Sequence, residues 1–107
     1  MKVRNLINTN GNATVNQFVI TDNGEISFQS YDSLVCQIRK GGMGFDKVVV
    51  FGRDWDYSRT TMKHLNKFLY DNGLGNLAGA KDIRDAIDRG YMRTNQSVAV
   101  IYDKTMH

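Results

Sequence analysis

The chain has 107 residues, of which 41% are hydrophobic and 23% charged, the size and composition of one globular domain spanning residues 1–107. A single cysteine excludes an intramolecular disulfide and a multi-cysteine zinc site, and no apolar run approaches the roughly 18 residues of a membrane helix. The net charge of +3 is too small to identify a nucleic-acid-binding protein by itself, and it excludes a strongly acidic DNA mimic.

The first predicted elements are a short strand or helical turn within residues 1–7 and then a β-hairpin. Two runs of β-formers flank Asn23-Gly24, which is the strongest short-range hairpin signal. A two-residue loop and a three-residue loop both fit, and the three-residue loop over 22–24 is favoured because it places four apolar side chains on one face. The pairs that it forms are Phe18 with Phe28 and Ile20 with Ile26.

The next two segments are predicted to be a helix and a buried strand. In residues 30–40, Leu34 and Ile38 lie one helical turn apart, and Gly41-Gly42 ends the segment. The uninterrupted apolar run Val48–Phe51 predicts a strand that is buried on both faces.

Two more helices and a strand complete the chain. Ser58 or Asp56 is expected to cap a helix that ends at Asn72-Gly73, and a third helix covers about 81–89. A last strand is predicted over 97–103. The apolar stripe of the helix that begins near Ser58 consists of Thr61, Met62, Leu65, Phe68 and Leu69. The predicted fold class is α+β: a small, mostly antiparallel sheet, made of the hairpin and two or three further strands, covered by about three helices.

Residues with catalytic or metal-binding chemistry are few. Asp54 and Asp56 follow a buried strand, where carboxylates could hold Mg²⁺, but a turn residue and a helix cap are the favoured interpretations. Cys36 is expected to be a core residue, because only His64 and His107 could serve it as a base. The sequence therefore predicts no enzyme, no cofactor and no metal site.

One helical face carries an unusual set of cations. Arg59, Lys63 and Lys67 recur every four residues, with Asn66 and Tyr70 beside them, and all three cations are expected to be unpaired. This face lies opposite the apolar stripe and is therefore expected to be exposed. It is interpreted either as a solvated surface or as a binding face for a nucleic-acid backbone or an acidic protein surface.

Three aromatic residues near turns and helix ends are candidate contacts for a partner. Tyr31, Trp55 and Tyr57 could each cover the core or anchor an interface. For Trp55 the core position is favoured, whereas Tyr31 and Tyr57 could equally be partner contacts.

Two short motifs resemble known sequences. Phe28-Gln29-Ser30-Tyr31 and the stretch 55–69, with its Asp-Tyr-Ser-x-Thr-Thr pattern, resemble a group of small uncharacterised proteins from bacteriophages and mobile elements of low-GC Gram-positive bacteria. The resemblance covers about residues 26 to 72 and implies no catalytic residues. Small phage proteins often act on host machinery, and anti-CRISPR inhibitors are one such class.

These observations predict a non-enzymatic phage or mobile-element accessory protein that binds a host protein or nucleoprotein complex, such as a CRISPR effector. The alternative is a direct nucleic-acid-binding module in phage replication or regulation. A cytoplasmic location in the bacterial host cell and no membrane partner are expected. The oligomeric state is left open, since a terminal strand at a sheet edge could pair with a second copy.

Overall fold

A computed structural model describes residues 1–107 as one seven-stranded mixed sheet with two helices. In the sheet the strand order is β1-β2-β3-β4-β5-β7-β6, and only β5 and β7 are parallel. Both helices lie in the connection between these two parallel strands. The elements are β1 (Lys2–Ile7), β2 (Ala13–Asp22), β3 (Glu25–Ser30), β4 (Ser33–Lys40), β5 (Lys47–Gly52), α1 (Arg59–Asp71), α2 (Ala80–Arg89), β6 (Tyr91–Met92) and β7 (Asn95–Asp103).

The core lies between one face of the sheet and the two helices. Phe68 of α1 stacks on Phe28 with ring centroids 5.7 Å apart, and Ile83 of α2 belongs to the same buried cluster. The radius of gyration is 12.8 Å, close to the roughly 13 Å of a compact domain of this length. Two rows of directly opposed strand residues form the floor of this core: Val19, Phe28, Cys36 and Phe51, and Ile26, Ile38, Val49 and Val100.

The prediction of a sheet covered by about three helices is wrong. The segment 30–40 is not a helix: Ser30 ends β3, and residues 33–40 form β4, so the sheet is larger than expected, and 44% of the chain is strand against 21% helix. Leu34 and Ile38 fit a helical spacing, but Cys36 and Ile38 also alternate with Gln37 as a strand requires. An eight-residue segment is too short for periodicity to separate the two, and hydrogen bonding to strands on both sides decides the outcome.

The hairpin forms with the shorter of the two loops considered. Asp22 pairs with Glu25 across Asn23-Gly24, and both turn residues have positive φ, 50° and 82°, as a type I′ turn requires. Val19 therefore opposes Phe28, and the predicted pairing of Phe18 with Phe28 is wrong. Its premise of one shared apolar face fails because both faces of this wide sheet carry apolar side chains: Phe18 and Ile20, on the face away from the helices, are half-buried.

Several other predictions are confirmed. The run Val48–Phe51 lies within β5, and residues 97–103 lie within β7. Helix α1 begins after Ser58 and ends at Asn72, and α2 ends at Gly90. Neither helix is both long and apolar enough to cross a membrane.

Candidate functional site

Helix α1 is held in place at its N-terminus and along its buried side. The hydroxyl oxygen of Ser58 accepts a hydrogen bond from the backbone N–H of Thr61 at 3.1 Å, which makes Ser58 the N-cap. Leu65, Phe68 and Leu69 are buried against the sheet. The opposite side of the helix therefore faces outward, as the charge pattern predicted.

A groove runs along this outward side, and we call it the basic groove. It has a volume of about 790 Å³ and lies between α1, the loop that contains Thr9 and the loop after α1. All five residues predicted for the binding face line it. They are Arg59, Lys63, Asn66, Lys67 and Tyr70.

The charges of the basic groove are not all free. The Nζ atom of Lys67 donates to both carboxylate oxygens of Asp71, at 2.6 and 2.7 Å, so the prediction of three unpaired cations is wrong for Lys67. Arg59 and Lys63 are exposed and form no salt bridge. The unpaired positive charges of the groove therefore lie in the first two turns of α1.

Two polar residues of the groove have different roles. The Oδ1 atom of Asn66 accepts a hydrogen bond from the backbone N–H of Gly79 at 3.1 Å, which ties α1 to the residue that precedes α2. Tyr70 is 72% exposed and lies beside Gly75, where an added Cβ atom would come within 3.3 Å of the tyrosine ring. Asn66 therefore supports the groove structurally, whereas Tyr70 offers an accessible aromatic surface.

Of the three candidate aromatic residues, one is buried in the core and two are exposed. Trp55 is 5% exposed, its ring centroid lies 6.0 Å from that of Phe51, and the guanidinium of Arg84 lies 5.5 Å from the tryptophan ring centroid. The preferred interpretation of Trp55 as a core residue is confirmed. Tyr31 and Tyr57 are 62% and 79% exposed, and both line a second depression outside the basic groove.

This second depression, which we call the polar cleft, was not predicted. It has a volume of about 590 Å³ and lies between the β3–β4 turn and the first turn of α1. Both motifs on which the resemblance rested contribute to it, through Ser30 and Tyr31 on one side and Tyr57 and Ser58 on the other. Gln17, which belongs to neither motif, also lines it.

The carboxylates and the thiol occupy separate environments. Asp54 accepts a hydrogen bond from the hydroxyl of Ser33 at 2.9 Å, whereas Asp56 lies 3.6 Å from the guanidinium of Arg84 and does not cap α1. No group of three or more His, Cys, Asp or Glu side chains that could hold a metal ion occurs. Cys36 is fully buried, and burial raises the pKa of its thiol well above the usual range, as expected for a core residue.

The N-cap that positions α1 can be tested directly. Changing Ser58 to alanine leaves the N–H of Thr61 without its acceptor and should lower the free energy of unfolding by about 1 kcal/mol. Urea denaturation measures this loss. Thr60→Ala is the matched control, because Thr60 is exposed and its hydroxyl forms no hydrogen bond; an equal loss in both variants would contradict the capping role.

Comparison with known proteins places the chain in a family. The sequence model of a family of unknown function (DUF8033) matches residues 1–85. No match was found among curated proteins or among solved structures. The matched residues include β1 to β5, all of α1 and both walls of the polar cleft. Because the match spans most of the 107 residues, the chain belongs to DUF8033, a family of unknown function.

Proposed function

We propose that this protein is a non-enzymatic accessory protein of a phage or mobile element that binds a nucleoprotein complex in the cytoplasm of the bacterial host. The basic groove is its contact surface, and anti-CRISPR-type inhibition by occlusion of an effector complex is the specific form proposed. The observation that carries this proposal is the pair Arg59 and Lys63, which are exposed, one helical turn apart and without an ion pair, at one end of an open groove.

The number of free charges favours a composite partner over bare nucleic acid. Each phosphate contact contributes about −0.9 to the slope of log affinity against log salt, and tight DNA-binding proteins make roughly 6 to 10 such contacts. Arg59 and Lys63 supply two, with Lys67 already paired to Asp71. A nucleoprotein partner exposes both a nucleic-acid backbone and a protein surface, and the protein surface can contact the uncharged residues of the groove.

Tyr70 provides the non-ionic part of this surface. Exposed tyrosines are frequent energetic centres of protein interfaces, because they bury a large area with little loss of side-chain freedom. The same ring could stack on an unpaired base, which is the observation that favours the alternative, a direct nucleic-acid-binding module. The two functions differ in whether bare nucleic acid is bound.

The experiment compares the native protein with Arg59→Glu/Lys63→Glu. Affinity purification from bacteria that carry an active CRISPR effector should recover that effector with the native protein, and a targeted plasmid should escape interference. Reversing both charges should reduce recovery and escape by tenfold or more, because like charges would then face an acidic surface. Lys81→Glu/Lys104→Glu is the matched control, since both lysines are exposed, unpaired and outside the groove.

The outcomes separate the two functions. Unchanged recovery in the groove variant, or equal loss in the control, would remove the basic groove as the contact surface. A gel shift with bare DNA or RNA at low salt that disappears in the groove variant, without recovery of any effector, would favour the nucleic-acid-binding module.

A further inference from the structure

The polar cleft has the features of a second binding site, independent of the basic groove. One wall is the turn between β3 and β4, and the other is the loop and first turn that begin α1. Its floor includes Gln17 of β2 and Val35 of β4. At about 590 Å³ the cleft is within the range of sites for small molecules.

Gln17 is the most unusual residue of this cleft. It is 2% exposed, and its Oε1 atom is buried without a hydrogen-bond partner, the only buried side-chain N or O atom of the chain in this condition. A buried acceptor without a donor is destabilising, and a ligand in the cleft that donated to Gln17 would remove this cost. The terminal torsion of glutamine is broad, which allows the amide to turn toward such a donor.

The backbone is arranged to bring Gln17 inward. Gln17 lies two residues from Val19 in β2, so the alternation of the strand places it on the helix side of the sheet, directly opposite Ser30. The register between β1 and β2 shifts next to this position, and Asn16 has a φ of 60°. The carbonyl of Asn16 accepts the N–H of Tyr31 at 2.7 Å, which couples this irregularity to the turn that forms the cleft wall. Tyr31 itself has a φ of 54°, a conformation that few residues other than glycine adopt.

The charge of the lining selects the class of ligand. The charged lining residues are Asp32 and Asp54, and no lysine, arginine or histidine lines the cleft. Arg53 approaches Asp54 only from outside the cleft, with its Nε atom 3.8 Å from Oδ1, while Ser33 donates to the other oxygen. The cleft is therefore an acidic, acceptor-rich depression on a protein of net charge +3, which disfavours phosphates and carboxylates.

Two tyrosines complete the lining. Tyr31 and Tyr57 are largely exposed and lie on opposite walls. Aromatic faces attract ammonium and guanidinium groups, and they also cover the alkyl chains that carry these groups. A cation with several N–H donors suits this lining, because it can pair with the carboxylates, contact the aromatic faces and donate to the unpartnered acceptor.

We propose that the polar cleft binds a small organic cation with a primary ammonium or guanidinium group, which donates to Gln17 and pairs with Asp32. The cation can be a free amine or a lysine or arginine side chain of a protein, and both present the same chemistry. The site acts independently of the basic groove, so its ligand and the partner of the groove can be tested separately.

Isothermal titration calorimetry of the full chain with agmatine tests this proposal. Agmatine should bind with a dissociation constant in the micromolar to low-millimolar range, whereas inorganic phosphate and glucose should not bind. Spermidine tests the ammonium group alone. A capped Gly-Arg-Gly peptide distinguishes the sources: tighter binding of agmatine than of the peptide indicates a free amine, and the reverse indicates a protein side chain.

Two variants link the binding to the cleft. Gln17→Met removes the acceptor at similar volume and should weaken agmatine binding by tenfold or more, while its melting temperature stays equal or rises. Asp32→Asn changes an exposed turn residue and should weaken binding by a similar factor without affecting the fold. Asp82→Asn, an exposed aspartate outside the cleft, is the matched control and should bind as the native protein does.

Three results would overturn the proposal. These are absence of agmatine and spermidine binding, binding that is unchanged in Asp32→Asn, and binding of glucose in place of the cations. Arg59→Glu/Lys63→Glu should retain agmatine binding, so failure of the basic groove as a contact surface leaves this site intact.

Discussion

Replacement of Phe68 by alanine should lower the free energy of unfolding by about 4 kcal/mol. Phe68 is fully buried in the last turn of α1, and its ring stacks on Phe28 with the ring centroids 5.7 Å apart. Truncation removes this contact and leaves a cavity between α1 and the sheet. The melting temperature should fall by roughly 20 °C for a domain of this size.

Urea denaturation and calorimetry measure this loss. The matched control is Tyr70→Ala, which removes an aromatic ring of similar size from the exposed side of the same helix. It should change the stability by less than about 0.5 kcal/mol. A small effect of Phe68→Ala, comparable to that of the control, would show that α1 does not pack on β3 as described.

Substitution of Gly52 by alanine should destabilise the protein by about 3 kcal/mol. A Cβ atom at Gly52 would lie 2.6 Å from the carbonyl oxygens of both Leu34 and Met106, and these backbone atoms cannot rotate away. The Met106 carbonyl also accepts the N–H of Arg53 at 2.9 Å. The substitution should therefore displace the C-terminal residues and the loop that carries Asp54 and forms part of the polar cleft.

Gly42→Ala is the matched control for this substitution. Gly42 has no heavy atom within 4 Å of an added Cβ and no positive φ, so alanine should be neutral or stabilising by up to about 1 kcal/mol. Thermal unfolding of both variants compares the two sites. Equal melting temperatures would contradict the close approach of three backbone segments at Gly52.

How far the sequence predicts the fold depends on the length of each element. Helix α1 has a polar cap at Ser58, a long apolar stripe and a terminator at Asn72-Gly73, and all three signals agree. The segment 33–40 has only eight residues, and its apolar positions satisfy both a helix and a strand. Its strand conformation is decided by neighbours on both sides, which are not local in sequence.

The same distinction applies to the two candidate sites. The basic groove is formed mainly by one helix, so helical periodicity was enough to place Arg59 and Lys63, four residues apart, on one face with Tyr70. Lys67 and Asp71 are also four residues apart, so their ion pair could be predicted from the sequence in the same way. The polar cleft instead combines Gln17 with residues from three later segments, and only the sheet register places them together.

The parallel pairing of β5 with β7 has a consequence for synthesis on the ribosome. Lys47 pairs with Val98, so about 50 further residues must be synthesised after β5 before β7 can cover its second edge. At roughly 5 to 20 residues per second, this interval lasts about 3 to 10 s. During this interval the apolar strand segment Val48–Phe51 has one unpaired edge, which can pair with a strand of another nascent chain. Expression yield and inclusion-body formation should therefore respond more to translation rate and chaperone supply than to changes on the exposed helix faces.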